Sequence, residues 1–257
     1  IIVFNNGVVE SVYLFNCTPS RWKTIGSLRS EANGLILNCR NEIVSCSFRK
    51  FFEAGDARGD HFIDGELSAE IMSDGELVVL YHYNHEFFIQ TKTSAMALDL
   101  VPGTDESYYR AVLRVLKNRF PVNPFTPFMG HEEFSSRYCW AFEYIAPKKG
   151  RKEDLVLLSA FRKDTGGMEI KPTYVDRFAK QYGFSRPIRF EKLRSEEAAY
   201  EVMEDYCTPL DKGIVVFDEA MTRKKFTNPA YKAVKKVIEA GPKALQKHFA
   251  EIVLTGD

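Results

Sequence analysis

The sequence carries no excess of charge of either sign: 35 lysines and arginines stand against 35 aspartates and glutamates, with a pI near 7.1. No overall field therefore draws nucleic acid or an anionic membrane towards it, and any polyanion site has to be a local patch. No apolar run approaches the length of about 18 residues that a membrane helix needs, and no signal-peptide pattern is present. No membrane partner is expected, and an intracellular, cytoplasmic placement is. Cysteine is sparse and odd in number, at Cys17, Cys39, Cys46, Cys139 and Cys207, without CxxC or Cys/His spacing. That implies neither a disulfide framework nor a zinc site and reads as reduced, buried thiols. Walker, dinucleotide-glycine and Gly-x-Ser-x-Gly signatures are all missing. Among the five histidines, His82 and His85 share a His-x-x-His spacing, but on a hairpin turn and without a third ligand, so both are expected to be solvated. Asp60, Asp64 and Glu66 beside His61 form an acidic loop of a composition that is usually solvated, so no metal ligands are assigned.

What is present is a chain of 257 residues, 45% hydrophobic and 27% charged, enough for one large or two small folded cores. It opens on Ile1 rather than Met, which reads as an excised domain or a processed product. Strands are predicted at 1–4 and 11–15, around the turn Asn5-Asn6-Gly7, then at 34–38 and 42–48. Lys50-Phe51-Phe52 reads equally as an aromatic pair plugging a sheet edge or as a ligand-facing element. The stretch 70–94 reads as a Ser73-Asp74-Gly75 turn, a run 77–82, a second turn at Asn84-His85 and a returning run 87–91. Apolar spacing after Thr104 and Asp105 predicts a helix capped there and stopped by Pro121, and 123–130 reads as a loop.

Tyr138-Cys139-Trp140-Ala141-Phe142-Glu143-Tyr144-Ile145 predicts a strand with one acid embedded among aromatics, and such a charge must face solvent, a partner or a ligand. A further strand is predicted at 155–161, a helix capped at Thr173 and stopped by Gly183, and another from Ser195. Asp176 and Arg177 read as solvated face residues. Two helices close the chain, at 228–241 with Asn228 as N-cap and Pro229 at its first position, and at 242–254. Arg223, Lys224 and Lys225 with Lys232, Lys235 and Lys236 make the best basic patch, for which a solvated helix face is the plainer alternative.

Asp74-Gly75 with Thr91-Lys92-Thr93-Ser94, Phe142-Glu143-Tyr144-Ile145-Ala146-Pro147, Lys212-Gly213-Ile214-Val215-Val216, and Lys225-Phe226-Thr227-Asn228-Pro229-Ala230-Tyr231 occur in an order that resembles the motifs of ATP-dependent RNA ligases of the T-even phage type. The resemblance spans residues 1 to about 231. It implies an α+β fold, a nucleotidyltransferase core of bent, ATP-grasp-like antiparallel sheets with flanking helices, as domain 1–231 followed by a helical segment 232–257. It also implies a site of Asp74, Gly75, Lys92, Glu143, Lys225 and Asn33 around the catalytic position, with Glu143 on the ribose hydroxyls, ATP and Mg or Mn as cofactors, and RNA ends as partner.

Four positions depart from the pattern. The nucleophilic lysine is Met72, the phosphate-reaching arginine is Asn33, a metal-side glutamate is Lys212 and the second lysine of the last motif is Thr227. Adenylyl transfer needs a neutral lysine amine to attack the α-phosphate while cations absorb the developing charge, and Met72 has no amine. The expected function is a ligase-like domain that does not catalyse and binds nucleotide, RNA ends or a protein partner. The alternatives are an active RNA ligase sealing 5′-phosphate to 3′-hydroxyl in which Met72 replaces the lysine, and a structural subunit with a filled pocket.

Overall fold

The structure, a computed structural model, describes residues 2–5, 8–16, 33–57, 59, 61–63, 65–129, 137–148 and 151–239. The chain divides into two compact units, each made of two segments: Ile1–Lys50 with Gly75–Pro187, and Phe51–Asp74 with Ile188–Asp257. Helices and mainly antiparallel sheets make it an α+β fold.

The first unit holds two sheets. Strands β1 (Ile2–Asn5), β2 (Val8–Asn16), β3 (Asn33–Asn38) and β4 (Ile43–Ser45) pair in chain order, antiparallel throughout. The larger sheet contains β7 (Glu76–Tyr83), β8 (Glu86–Gln90), β9 (Tyr138–Ile145), β10 (Asp154–Arg162) and β11 (Met168–Glu169), in the order β11-β10-β9-β7-β8. The hairpin β7–β8 closes where the sequence predicts, on Asn84 (φ 47°) and Asn84's neighbour His85 (φ 67°). Two successive left-handed residues match the twist of the flanking strands, and asparagine adopts that region readily.

One face of this sheet is packed. Val78, Leu80, Ile89, Phe142 and Tyr144 are buried against Ala111, Val112 and Leu116 of helix α1 (Tyr108–Arg119) and Val175 and Ala179 of α2 (Pro172–Tyr182). Full burial of each large apolar side chain contributes about 1.5–3 kcal/mol. The helix starts correct the sequence reading. Ser107, not Thr104 or Asp105, caps α1 by accepting the Arg110 N–H at 3.4 Å, because the Thr104 hydroxyl is used to donate to the Val101 carbonyl at 2.9 Å. Helix α2 has no side-chain cap at Thr173 and begins with Pro172, whose missing N–H removes one of the donors a cap would satisfy. Gly183 (φ 69°) ends it as expected. Asp176 is not simply solvated, since it pairs with Arg186 at 2.7 Å, and His82 packs edge-on to Phe87 with ring centroids 4.9 Å apart. Burial, with Lys163 nearby, pushes the His82 pKa down.

The opposite face follows from the register. Leu77 pairs with Glu143, Val79 with both Ala141 and Gln90, and Tyr81 with both Cys139 and Phe88. Cys46 and Cys139 are buried and reduced as expected, but Cys39 is exposed. A hydrogen bond to Cys139, together with burial, pushes the Cys46 thiol pKa up. Cys17 lies outside the described residues, as do Asp60, Asp64, His131, His248, the Asn6-Gly7 turn and the expected helix 242–254.

The second unit is one sheet, β12-β6-β13-β14-β5, built from β5 (Phe52–Glu53), β6 (Leu67–Met72), β12 (Arg189–Leu193), β13 (Gly213–Phe217) and β14 (Arg223–Thr227). Buried Phe52 lies on its edge strand, as the sheet-edge reading of Lys-Phe-Phe expects. Leu67, Ala69, Ile214, Val216 and Phe226 pack against Ala199 and Met203 of α3 (Glu196–Tyr206), which Ser195 caps by accepting the Ala198 N–H at 3.3 Å. The alternate residues Glu70, Met72, Val215, Lys225 and Thr227 therefore project from the other, half-buried face. A fourth helix, 229–239, starts as predicted, with Asn228 Oδ1 accepting the Ala230 N–H at 2.9 Å. Among the described residues, no helix is long and apolar enough to cross a membrane.

Candidate functional site

In the first unit, Gly75 meets the aromatic strand. The Gly75 N–H donates to Glu143 Oε1 at 2.9 Å. A Cβ on residue 75 would lie 2.4 Å from Glu143 Cγ and 2.7 Å from the Tyr144 carbonyl oxygen, so only glycine allows this approach. Glu143 is 8% exposed, and a carboxylate that deep in an apolar strand is tolerated only while hydrogen-bonded.

A second polar group gathers at the end of β8. Gly34 (φ 80°) donates its N–H to Asn16 Oδ1 at 2.9 Å, and the Asn16 amide donates in turn to the Lys92 carbonyl. Gln90 Nε2 donates to the Gly34 carbonyl at 2.7 Å, and Asn33 donates to the Phe48 carbonyl at 3.1 Å. Asn16 and Gln90 thus hold the Asn33-Gly34 step beside Lys92. The hydroxyls of Thr91 and Thr93 both donate to Asp99, at 2.5 and 2.9 Å, so they build the turn and leave Lys92 as its exposed charged member. Gln90 and Glu143 share one face of the sheet, and Gln90 Oε1 is buried with no hydrogen-bond partner.

In the second unit the remaining motif positions lie on adjacent strands. Gly213 pairs with Met72 on one side and Thr227 on the other, and Val215 pairs with Glu70 and Lys225 in the next row. The Met72 carbonyl accepts the Lys212 N–H at 2.8 Å. Each acid there meets a base. The Lys225 ammonium lies 3.1 Å from Glu53, Arg189 lies 2.8 Å from Glu70, and the Lys212 ammonium lies 3.7 Å from Asp74. Two of these acids also accept a neutral donor: Asp74 takes the Tyr231 hydroxyl at 2.9 Å, and Glu53 takes the Thr227 hydroxyl at 2.7 Å. Burial, and then the bond to Asp74, push the Tyr231 pKa up to about 12.

The expected basic patch does not form as one surface. Lys224 turns to Glu196 at 2.5 Å and to the Phe62 ring, Arg223 lies 4.9 Å from the Phe217 ring centroid, and Lys225 faces Glu53. Neighbours on a strand point to opposite faces, so three consecutive bases cannot share one. Lys232, Lys235 and Lys236 are exposed on the fourth helix, with Lys235 3.8 Å from Glu239. Residues that sequence reasoning missed are Asn16, Glu53 and Gln90, all polar side chains whose partners are distant in sequence and which carry no periodic signal. Away from these groups, a cavity of about 600 Å³ is lined by Phe128, Trp140, Tyr174, Phe178 and Tyr182 and contains none of the predicted site residues.

Among the described residues the donor set does not fit a divalent ion. Among the described residues no three His, Cys, Asp or Glu side chains gather as a metal-holding group. Lys212 stands where the resemblance puts a metal-side carboxylate.

No protein-family model matches the sequence, and neither does any curated protein. Solved structures do. An archaeal ATP-dependent RNA ligase is similar over 90% of this chain and 58% of its own, at a TM-score of 0.58 and 14% identity. Naegleria gruberi RNA ligase with pyrophosphate is similar over 91% and 80%, at 0.51 and 11%. A mutant of the same ligase with ATP and Mn is similar over 67% and 52%, at 0.50 and 12%. The chain thus spans little more than half the length of the archaeal ligase and of the ATP-bound Naegleria chain. Identities this low speak to architecture alone, and the architecture is an α+β fold similar to that of these RNA ligases.

Proposed function

We propose that this chain is an RNA-ligase-like nucleotidyltransferase domain, of the T-even phage kind and covering residues 1–231 before a helical segment 232–257, that binds ATP and forms no lysine adenylate. The observation that carries the reading is Met72. It ends β6 in register with Gly213 and Thr227, where the motif order calls for the attacking amine, and a thioether is no nucleophile towards phosphate. Glu143 supports retained binding. A carboxylate held in an aromatic strand by the Gly75 N–H is suited to accept hydrogen bonds from a ribose, a role that a structural filler would not need. Gln90 Oε1, buried and unmatched on the same face, is a further acceptor. The exposed Lys232, Lys235 and Lys236 suit the phosphates of an RNA end, and a protein partner remains an alternative occupant for that face.

Titration of the chain with ATP should saturate, and Glu143→Gln should weaken binding about tenfold, the loss expected for one charge-assisted hydrogen bond. A flat titration would leave the structural-subunit reading instead. The intact Asp74-Gly75 turn favours a second reading, an active ligase in which methionine has replaced the lysine. Met72→Lys incubated with labelled ATP and Mg²⁺ separates the two. No covalent label is expected, because Asn33, Lys212 and Thr227 also depart from the pattern, and a labelled protein would establish the second reading.

A further inference from the structure

We propose that Lys212 takes the part of a divalent cation, so that ATP binds to this chain without Mg²⁺ or Mn²⁺, its polyphosphate neutralised by the ammonium groups of Lys212 and Lys225. The proposal rests on the nucleotide-binding reading above and adds how the phosphates are held.

The argument begins with the ion pairs of the second unit. A hard divalent ion needs carboxylate and other oxygen ligands in its shell. Glu53, Glu70 and Asp74 each already face a fixed positive charge, at 3.1, 2.8 and 3.7 Å. A divalent ion at Asp74 would be repelled by Lys212, and the attraction it replaces is already supplied.

The three pairs differ in how readily the cation can be lent to another anion. Arg189 grips Glu70 Oε1 through both Nε and Nη2, at 2.9 and 2.8 Å, so moving it breaks two charge-assisted bonds at once. Lys212 and Lys225 are placed otherwise. If Lys212 swings to a phosphate, Asp74 keeps the Tyr231 hydroxyl at 2.9 Å; if Lys225 does, Glu53 keeps the Thr227 hydroxyl on both oxygens, at 2.7 and 2.8 Å. Each of these carboxylates is also held by a neutral donor, which lessens the penalty of stranding a half-buried charge. The Lys212 backbone N–H bonds the Met72 carbonyl at 2.8 Å, and its ammonium lies 3.7 Å from Asp74. A polyphosphate offers it shorter, charge-assisted contacts.

The test is a titration of the chain with fluorescent N-methylanthraniloyl-ATP in EDTA, in Mg²⁺ and in Mn²⁺. The proposal expects dissociation constants that agree within about twofold under all three conditions. Lys212→Met should weaken binding about tenfold in every condition and leave AMP affinity nearly unchanged. Lys212→Glu should bind poorly in EDTA and recover with Mn²⁺, because the reversed charge recreates a ligand for the ion. Far-ultraviolet circular dichroism confirms that both variants are folded. Binding to the unaltered chain that is tenfold or more tighter with Mn²⁺ would overturn the inference alone. Absence of saturable binding in all three would remove the nucleotide-binding reading and this inference with it.

Discussion

A methyl group on residue 75 would meet Glu143 Cγ at 2.4 Å and the Tyr144 carbonyl at 2.7 Å, and the carbonyl, fixed in the backbone of β9, cannot yield. Gly75→Ala is therefore expected to lower stability by about 1–3 kcal/mol, the usual range for overpacking, read as a lower urea midpoint at unchanged m-value. Because the same contact positions Glu143, ATP affinity should fall in parallel. Tyr231 provides a pH test. Its phenol is held protonated in the fold, first by burial and then by the bond to Asp74, with a pKa raised to about 12 from 10.0. A raised pKa contributes stability that is fully present below about pH 10 and is lost as pH climbs towards 12. The urea midpoint should decline across that window, and less steeply in Tyr231→Phe. Comparison with the variant matters because Tyr83 and Tyr108, both also raised to about 12 by burial, add to the same decline.

Strand β13 starts at a position that leaves no room for a side chain. Gly213 begins it at φ 138°, and a Cβ there would stand 2.0 Å from the Phe226 carbonyl oxygen. Gly213→Ala combines backbone strain with a backbone clash, so a loss of about 3 kcal/mol or more is expected, seen as collapse of the second unit's unfolding transition. Helix α3 offers a milder case. Ser195→Ala removes the acceptor of the Ala198 N–H and should cost about 1 kcal/mol in a urea melt. Element identity was legible where periodicity is strong, as in the hairpin turning on Asn84-His85, the aromatic strand β9 and the helix starting at Asn228-Pro229. The cap of α1 was misplaced by two or three residues because Thr104, Asp105 and Ser107 are all good caps, and the Thr104 hydroxyl is committed to the Val101 carbonyl.

For the whole molecule, ligand linkage gives the broadest test. ATP at a hundredfold over its dissociation constant should raise the unfolding free energy by about 2.7 kcal/mol, visible as a thermal shift in EDTA as well as in Mn²⁺. Glu143→Gln should show a smaller shift at the same ATP concentration.

The order of the motif-like segments, the α+β architecture that their resemblance implies and the presence of methionine at position 72 were legible in the sequence alone, because residue identity and order need no knowledge of distant partners. Only the tertiary structure decided how the charges are matched. Asp74 with Lys212 and Tyr231, Glu53 with Lys225 and Thr227, and Gln90 with Gly34 are contacts between residues far apart in the chain. Such pairings carry no periodic mark, and they arise only when strand register places the side chains within a few ångströms of one another.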